Sequence, residues 1–460
     1  MKKTHIGAGL VSALIGVTLL AGCGTGTGPT PGGSQGGDGG DLQSKIAAVT
    51  DDQLKGQEIS LGRMFGDCEE TTQGVTDPAK ATNECEAIQI LTNKFNAENT
   101  WGLKVTRLGG TDWNSYYDAF NAAIAGGQPP NIANLHDYAL SDYASRDQLL
   151  TFDPTKFGID IADATAQAQK SIQYDGKTAA VPFDSHAILA HVNTDILGAA
   201  GYMDADGRPI MPTSPDELLA MGKAVKEKTG KLLFSMGFPT DDMSWRVFYS
   251  LVRQQGADLI TNGKATVNSE AATKAMELLS QMIDAGYIST KADYSGSIDE
   301  WKNQGSAILV NGTWVVNEYA AMKDFGYTVT DFPTIFGNPA VWASSHMWVI
   351  PKQSNDDPVK YRAALEFAKF LFDNTGAWAE ATGHNASRVS VIESAAYQKA
   401  PNRQFYTDTA LKNMAFVPQV NNWTAIKDLI HKQLEEVWFN GKDLKAALDE
   451  AQSRVERALK

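Results

Sequence analysis

The sequence of 460 residues predicts an α/β protein built as two lobes. Short apolar stretches of strand length alternate with amphipathic helical ones, and that alternation breaks off and then resumes. The length also exceeds what one hydrophobic core comfortably fills.

Residues 58–65 are the first expected strand, followed after a polar stretch by a helix near 86–96. Residues 103–108 alternate apolar and polar side chains and read as a second strand. Trp113, Tyr117, Phe120 and Ile124 recur on one helical face, which stops at Gly126-Gly127. A strand at 131–135 and a short helix at 138–145 complete the first round, a lobe with a largely parallel sheet. Strands at 179–183 and 188–193 open the second. Ser214, Pro215 and Glu217 form a capping box with proline at the first helical position, and the helix ends at Gly230. There follow a strand at 232–238, helices at 245–255 and 269–285, and short strands at 307–310 and 347–350. A helix capped by Asp357 runs to Phe372, and a last one carries Leu444, Leu448, Ala451 and Val455 on one face.

The N-terminus is of a different kind. Lys2 and Lys3 precede an apolar run over 6–20, and Leu20-Ala21-Gly22-Cys23 follows it. A basic start, a short apolar core and small residues before a cleavage point make a secretory leader, residues 1–22. The run is short for a membrane span. Its end matches the bacterial lipobox, which makes Cys23 the expected lipidated mature N-terminus on the outer face of the cytoplasmic membrane. The alternative is an ordinary leader cut elsewhere. Residues 24–41 are rich in Gly and cannot bury against a core; as a flexible coil they reach on the order of 23 Å. The lipidated cysteine and tether are expected to occupy 23–55.

The net charge of −14, with no basic block, argues against nucleic acid and against electrostatic attachment to anionic lipid. Of three cysteines, Cys23 is taken by lipid, which leaves Cys68 and Cys85 as an even pair in an oxidising compartment. A disulfide is expected, stabilising by about 3 kcal/mol; two free thiols are the alternative.

Ligands of open α/β sheets bind beyond the carboxyl ends of strands. Those ends carry Thr111, Asp112 and Trp113; His136 and Asp137; Asp184 and His186; Asp241, Asp242 and Trp245; and Asn311-Gly312-Thr313-Trp314. Carboxylates, imidazoles and indoles recurring there suit a neutral sugar, whose hydroxyls take charge-assisted hydrogen bonds and whose C–H faces lie on aromatic rings. Each has a plainer use. Trp113 lies on a helical apolar face and Trp245 begins a helix, so either could be core. Asp112 and Asp137 could cap helices. Trp342 and His346 flank Ser344-Ser345 as ligand contacts or as hinge packing.

Five segments, 124–153, 181–201, 301–314, 348–373 and 447–459, with the helix after Pro215, resemble in order the bacterial extracellular solute-binding proteins that serve carbohydrate importers. That family is maltodextrin-binding-protein-like. The resemblance implies a two-lobed periplasmic-binding-protein (Venus-flytrap) fold whose hinge is crossed more than once. Carried over, residues 56–160 with 344–390 form one lobe and 161–343 with 391–460 the other. It implies a sugar-stacking role for Trp314, a cleft-lining segment ending at Asp184, and a cleft Arg at Arg388, for which a surface ion pair is the alternative. It also implies a monomer that delivers sugar to a permease pair driven by a cytoplasmic ATPase.

The stretch between Cys68 and Cys85 departs from the family pattern. Leaving the carboxyl end of the first strand, it is expected on the cleft rim. No nucleophile elbow, zinc-protease helix or phosphate loop is present, and the seven His show no metal-ligand spacing, so neither cofactor nor metal is expected. Residues 203–207 lack the ligands of a calcium loop. The competing readings are a surface-anchored glycosidase, since paired carboxylates near aromatics also describe a glycoside cleft, and a transport protein for a non-sugar polar solute.

Overall fold

Two sheets organise the chain, each with its own helices and core. The computed structural model describes residues 38–460 apart from Asn114 and Thr407. The expected leader, Cys23 and residues 24–37 of the expected tether lie outside the described residues. Among those described, no helix is long and apolar enough to cross a membrane.

The first sheet has five strands in the order Lys104–Arg107, Glu58–Gly62, Ile132–His136, His346–Val349, Ala180–Pro182. The first three are parallel, and Ile132–His136 is buried at every position, as a strand covered on both faces must be. His346–Val349 runs against both its neighbours because it returns from the other lobe. Helices Glu84–Glu98 and Pro358–Asp373 bury Ile88, Leu91, Phe95, Leu365, Phe367 and Leu371 against this sheet. Each such side chain contributes about 1.5–3 kcal/mol of transfer free energy.

Residues 38–55 are not tether. Asp38–Ala47 and Asp51–Leu54 are helical, and Ile46 and Leu54 are fully buried in the first core. The Gly-rich run just before them masked an apolar pattern strong enough to fold.

The second sheet is mixed, in the order Met414–Phe416, Val341–Ser344, Asp184–Asn193, Ser306–Gly312, Leu232–Ser235. Tyr327–Asp331 and Asn385–Ala386 also pair with the long strand Asp184–Asn193. Its core gathers Ile188, Met221, Phe234, Phe248, Met276, Ile308, Ile426 and Leu448. Ser214 caps its helix at the Glu217 amide, while the Glu217 carboxylate reaches one residue further back, to Thr213. At residues 203–207, Asp204 accepts the amides of Asp206 and Arg208, which makes a turn.

The chain passes between the sheets at Phe183, at Ser345 and at Gly383-His384. The first passage falls later than the expected 160/161 boundary. Ala164, Ala168, Ile172 and residues 179–183 all pack in the first core, so 161–182 belong with the first sheet. Gly383 takes φ +94°, where a side chain is strained, and a Cβ there would lie 2.4 Å from the Thr313 carbonyl oxygen. Only glycine lets the third passage run this close to the second lobe.

Candidate functional site

The three passages bring four donor-bearing side chains together. Asp184 and His186 begin the long strand, His346 follows the second passage, and His384 lies on the third. Asp184 is the hub. One carboxylate oxygen accepts the His346 backbone amide at 3.0 Å. The other accepts His346 Nδ1 at 2.9 Å and Trp378 Nε1 at 2.7 Å, while His186 Nδ1 stands 3.4 Å from the first. Burial alone would raise this carboxyl; His346 and His384 and the hydrogen bonds overcome it and hold it well below the usual carboxylate range. Burial lowers His136, His186 and His384, with His186 brought to about 4. These three rings are neutral at pH 7.

Rings line the approach from both lobes. On the first, Trp113 meets Phe65 edge-on at 5.3 Å and lies 5.8 Å from His136 and 5.7 Å from His346. Tyr117 fixes His136 through its hydroxyl, 2.8 Å from Nδ1, and Tyr138 stacks on His136 at 4.8 Å. On the second, Trp314 meets His186 at 5.6 Å and donates Nε1 to the Tyr294 hydroxyl at 2.9 Å. A Cβ at Gly312 would fall 2.0 Å from the Trp314 ring, so the glycine lets the indole lie on the backbone. Arg246 stacks over Trp342 at 4.3 Å and reaches Trp314 at 5.6 Å. His186 and His346, 4.4 Å apart, join the two sets.

Of the residues singled out in the sequence, Trp113, His136, Asp184, His186, Trp314, Trp342 and His346 therefore converge. Trp113 is 44% exposed, on a turn ahead of the helix Tyr116–Ala125 and outside the apolar face expected for it. Four others have different work. Trp245 is 1% exposed, stacked on Tyr249 and packed against Trp423 in the second core. Asp137 is buried and spends its carboxylate on Ser344 Oγ at 2.6 Å and the Ser345 amide at 3.1 Å, tying a strand end to the second passage; burial pushes it up to about 6. Asp112 bonds the amide and hydroxyl of Ser115 on the surface. Arg388 pairs with Asp163 at 2.7 Å, away from the cluster.

As site residues, His384, Glu84, Arg246, Tyr138 and Trp378 went unread in the sequence, and Tyr117 was read only as part of an apolar helical face. Only His384 had a signal: it lies in the same short stretch, residues 383–388, that drew attention to Arg388.

Cys68 and Cys85 are joined, with Cα atoms 5.9 Å apart. The enclosed loop is pinned by Asn93, whose amide donates to the Thr72 and Val75 carbonyls. Fully buried Arg63 grips Cys85 O, Glu69 and Gln89. A pocket of about 710 Å³ separates the end of the loop, residues 78–83, from Asn317, Glu318 and Ala321 of the second lobe.

Residues 91–404 match a family model described as bacterial extracellular solute-binding protein. The sn-glycerol-3-phosphate-binding periplasmic protein of Pectobacterium atrosepticum is 21% identical over 406 residues, covering 80% of this chain and 86% of that one. The GacH receptor of Streptomyces glaucescens, solved unliganded and with acarbose, superposes with a TM-score of 0.72 at 21% identity, over 87% of this chain and 97% of that one. Maltose-bound MalE3 of T. maritima gives 0.73 at 18% identity, over 87% and 99%. These likenesses show the two-lobed periplasmic-binding-protein fold.

Proposed function

Because the chain belongs to the bacterial extracellular solute-binding protein family, we propose that it captures a carbohydrate, an oligosaccharide, between its lobes and delivers it to an ATP-driven permease. One observation carries the choice of solute. A continuous run of rings, Trp113, His346, His186 and Trp314, leads from one lobe to the other beside a buried carboxylate. Indoles cover the C–H faces of a sugar, and the neutral His186 imidazole exchanges hydrogen bonds with its hydroxyls in either sense. A ligand touching both lobes favours the closed arrangement because its affinity for that arrangement is greater.

The glycerol phosphate named for the relative is the second reading, and Arg246 favours it. Against it, Lys427 is already held by Asp242 at 2.6 Å. Arg246 is the cation that lies against the rings, and a phosphate dianion is better matched by more than one. Calorimetry with a panel of oligosaccharides and with glycerol 3-phosphate separates the two. Saturable binding of the phosphate alone overturns the carbohydrate reading, and cleavage of the oligosaccharides would make the protein a glycosidase.

Trp314→Ala is expected to weaken oligosaccharide binding by at most about 3 kcal/mol and to leave the melting temperature of the free protein nearly unchanged. A large loss of stability with unaltered affinity would assign the indole to the core.

The leader supports lipid attachment at Cys23 as the site of retention. Cys23→Ser is expected to move the protein from the membrane to the soluble fraction on cell fractionation. A variant as firmly bound as the parent rules that anchor out.

A further inference from the structure

The proton inventory around His384 is incomplete. The Thr382 hydroxyl donates its single proton to the Trp378 carbonyl at 2.7 Å. His384 Nδ1, 2.9 Å from the same oxygen, must therefore be the donor of that contact. The ring is then the Nδ1–H tautomer, and Nε2 presents a lone pair. That nitrogen is buried without a hydrogen-bond partner, and it faces Glu84 Oε1 at 3.3 Å and Asp184 Oδ2 at 3.9 Å. Glu84 Oε1 is likewise buried and unpartnered. Two unpartnered atoms, His384 Nε2 and Glu84 Oε1, thus face each other where water does not reach, beside Asp184 Oδ2, which accepts His346 Nδ1 and Trp378 Nε1.

One ligand atom from each of Asp184, His186, His346 and His384 lies within 4.8 Å of the others, and all four residues are buried. We propose that these four side chains form a binding site for a first-row divalent transition ion of the zinc(II) type, with Glu84 as an adjoining carboxylate. The chemistry selects the class. Three imidazoles and one carboxylate are a donor set for zinc or its neighbours, whereas calcium and magnesium ask for oxygen throughout. His186 and His346 turn Nδ1 toward Asp184, and each serves as a nitrogen ligand once its proton sits on Nε2. Thr382 plays the outer part, fixing the His384 tautomer and aim. Because the donors arise on the first, second and third passages between the lobes, a bound ion ties all three together.

The site goes beyond solute capture and does not rest on it, since metal stoichiometry is read without any solute. Untagged full-length chain, stripped with chelator and dialysed against zinc(II), is expected to retain a single ion by elemental analysis and to melt at a higher temperature. His384→Ala is expected to abolish retention. Thr382→Val, which removes the acceptor for Nδ1–H together with the donor to the Trp378 carbonyl, is expected to weaken zinc affinity about 10–100-fold, and Thr382→Ser to restore it. Cobalt(II) added to the unaltered chain is expected to give the visible bands of a tetrahedral nitrogen-containing site, which keeps the idea testable if either variant fails to fold. No retained zinc, or retention equal in His384→Ala, overturns the proposal; in the first case a proton on Glu84, shared with His384, occupies the gap.

Discussion

Asp184→Ala is expected to lower the unfolding free energy by about 3–5 kcal/mol, more than any other single change considered. The carboxylate is nearly fully buried, and removing it strands the His346 amide, His346 Nδ1 and Trp378 Nε1 together. Each buried donor left without an acceptor costs about 1–3 kcal/mol. Asp184 lies just past the first passage, His346 just past the second, and Trp378 on the helix Thr375–Thr382 that leads into the third, so the loss is felt where the lobes join. Asp184→Asn keeps the shape and one acceptor, but turns an N–H₂ toward groups that are themselves donors, and is expected to be milder than alanine yet still damaging. Urea unfolding measures both. A midpoint for Asp184→Ala within error of the parent would mean that the hub contributes nothing to the junction.

The double variant Cys68→Ala, Cys85→Ala is expected to weaken solute binding and to lower the unfolding free energy by no more than about 3 kcal/mol, the chain-entropy value for a loop of this size. The bridge spans 17 positions of sequence. Asn93 and Arg63 still hold the loop to its helix without it, which limits the cost to the fold. What the bridge adds is restraint at the lower end of the loop, where Glu84 approaches His384 and residues 78–83 border the pocket between the lobes. A loop that must be ordered at a binding rim costs affinity. Calorimetry against the identified solute, alongside thermal melting, decides. A variant that melts much lower but binds as tightly as the parent would make the bridge a staple only.

The architecture was legible because the punctuation is strong. Gly126-Gly127, Ser214-Pro215, Gly230 and Asp357-Pro358 mark element ends by local chemistry, and the structure has helices ending or beginning at each. The helix Trp423–Asn440 went unread because its start at Asn422, in the left-handed conformation, carries no ordinary cap. The site was half legible. Strand-end reasoning reaches Trp113, His136, Asp184, His186 and Trp314, since each lies within a few residues of the end of an expected strand. It fails for Trp245, because a helix starting after a strand can turn its first aromatic inward as readily as outward. It cannot reach Glu84 or Arg246, which sit on helices, or the pairing of His346 with Asp184 across 162 positions of sequence. Spacing rules for metal ligands fail for the same reason: the donors are assembled by chain passages, not by one motif.

The strand His346–Val349 lies between Ile132–His136 and Ala180–Pro182, and that placement governs when the molecule can fold. Until residue 349 has been made, the first sheet is split in two, with unpaired edges on both sides of the gap. The second waits longer still, for Met414–Phe416 and the helices Trp423–Asn440 and Leu444–Ala458. Neither half can be finished and set aside while the other is synthesised, as happens in chains whose domains follow one another in sequence. The polypeptide therefore stays open through most of its synthesis, which is the condition that threading through an export channel, behind the leader proposed at residues 1–22, would require.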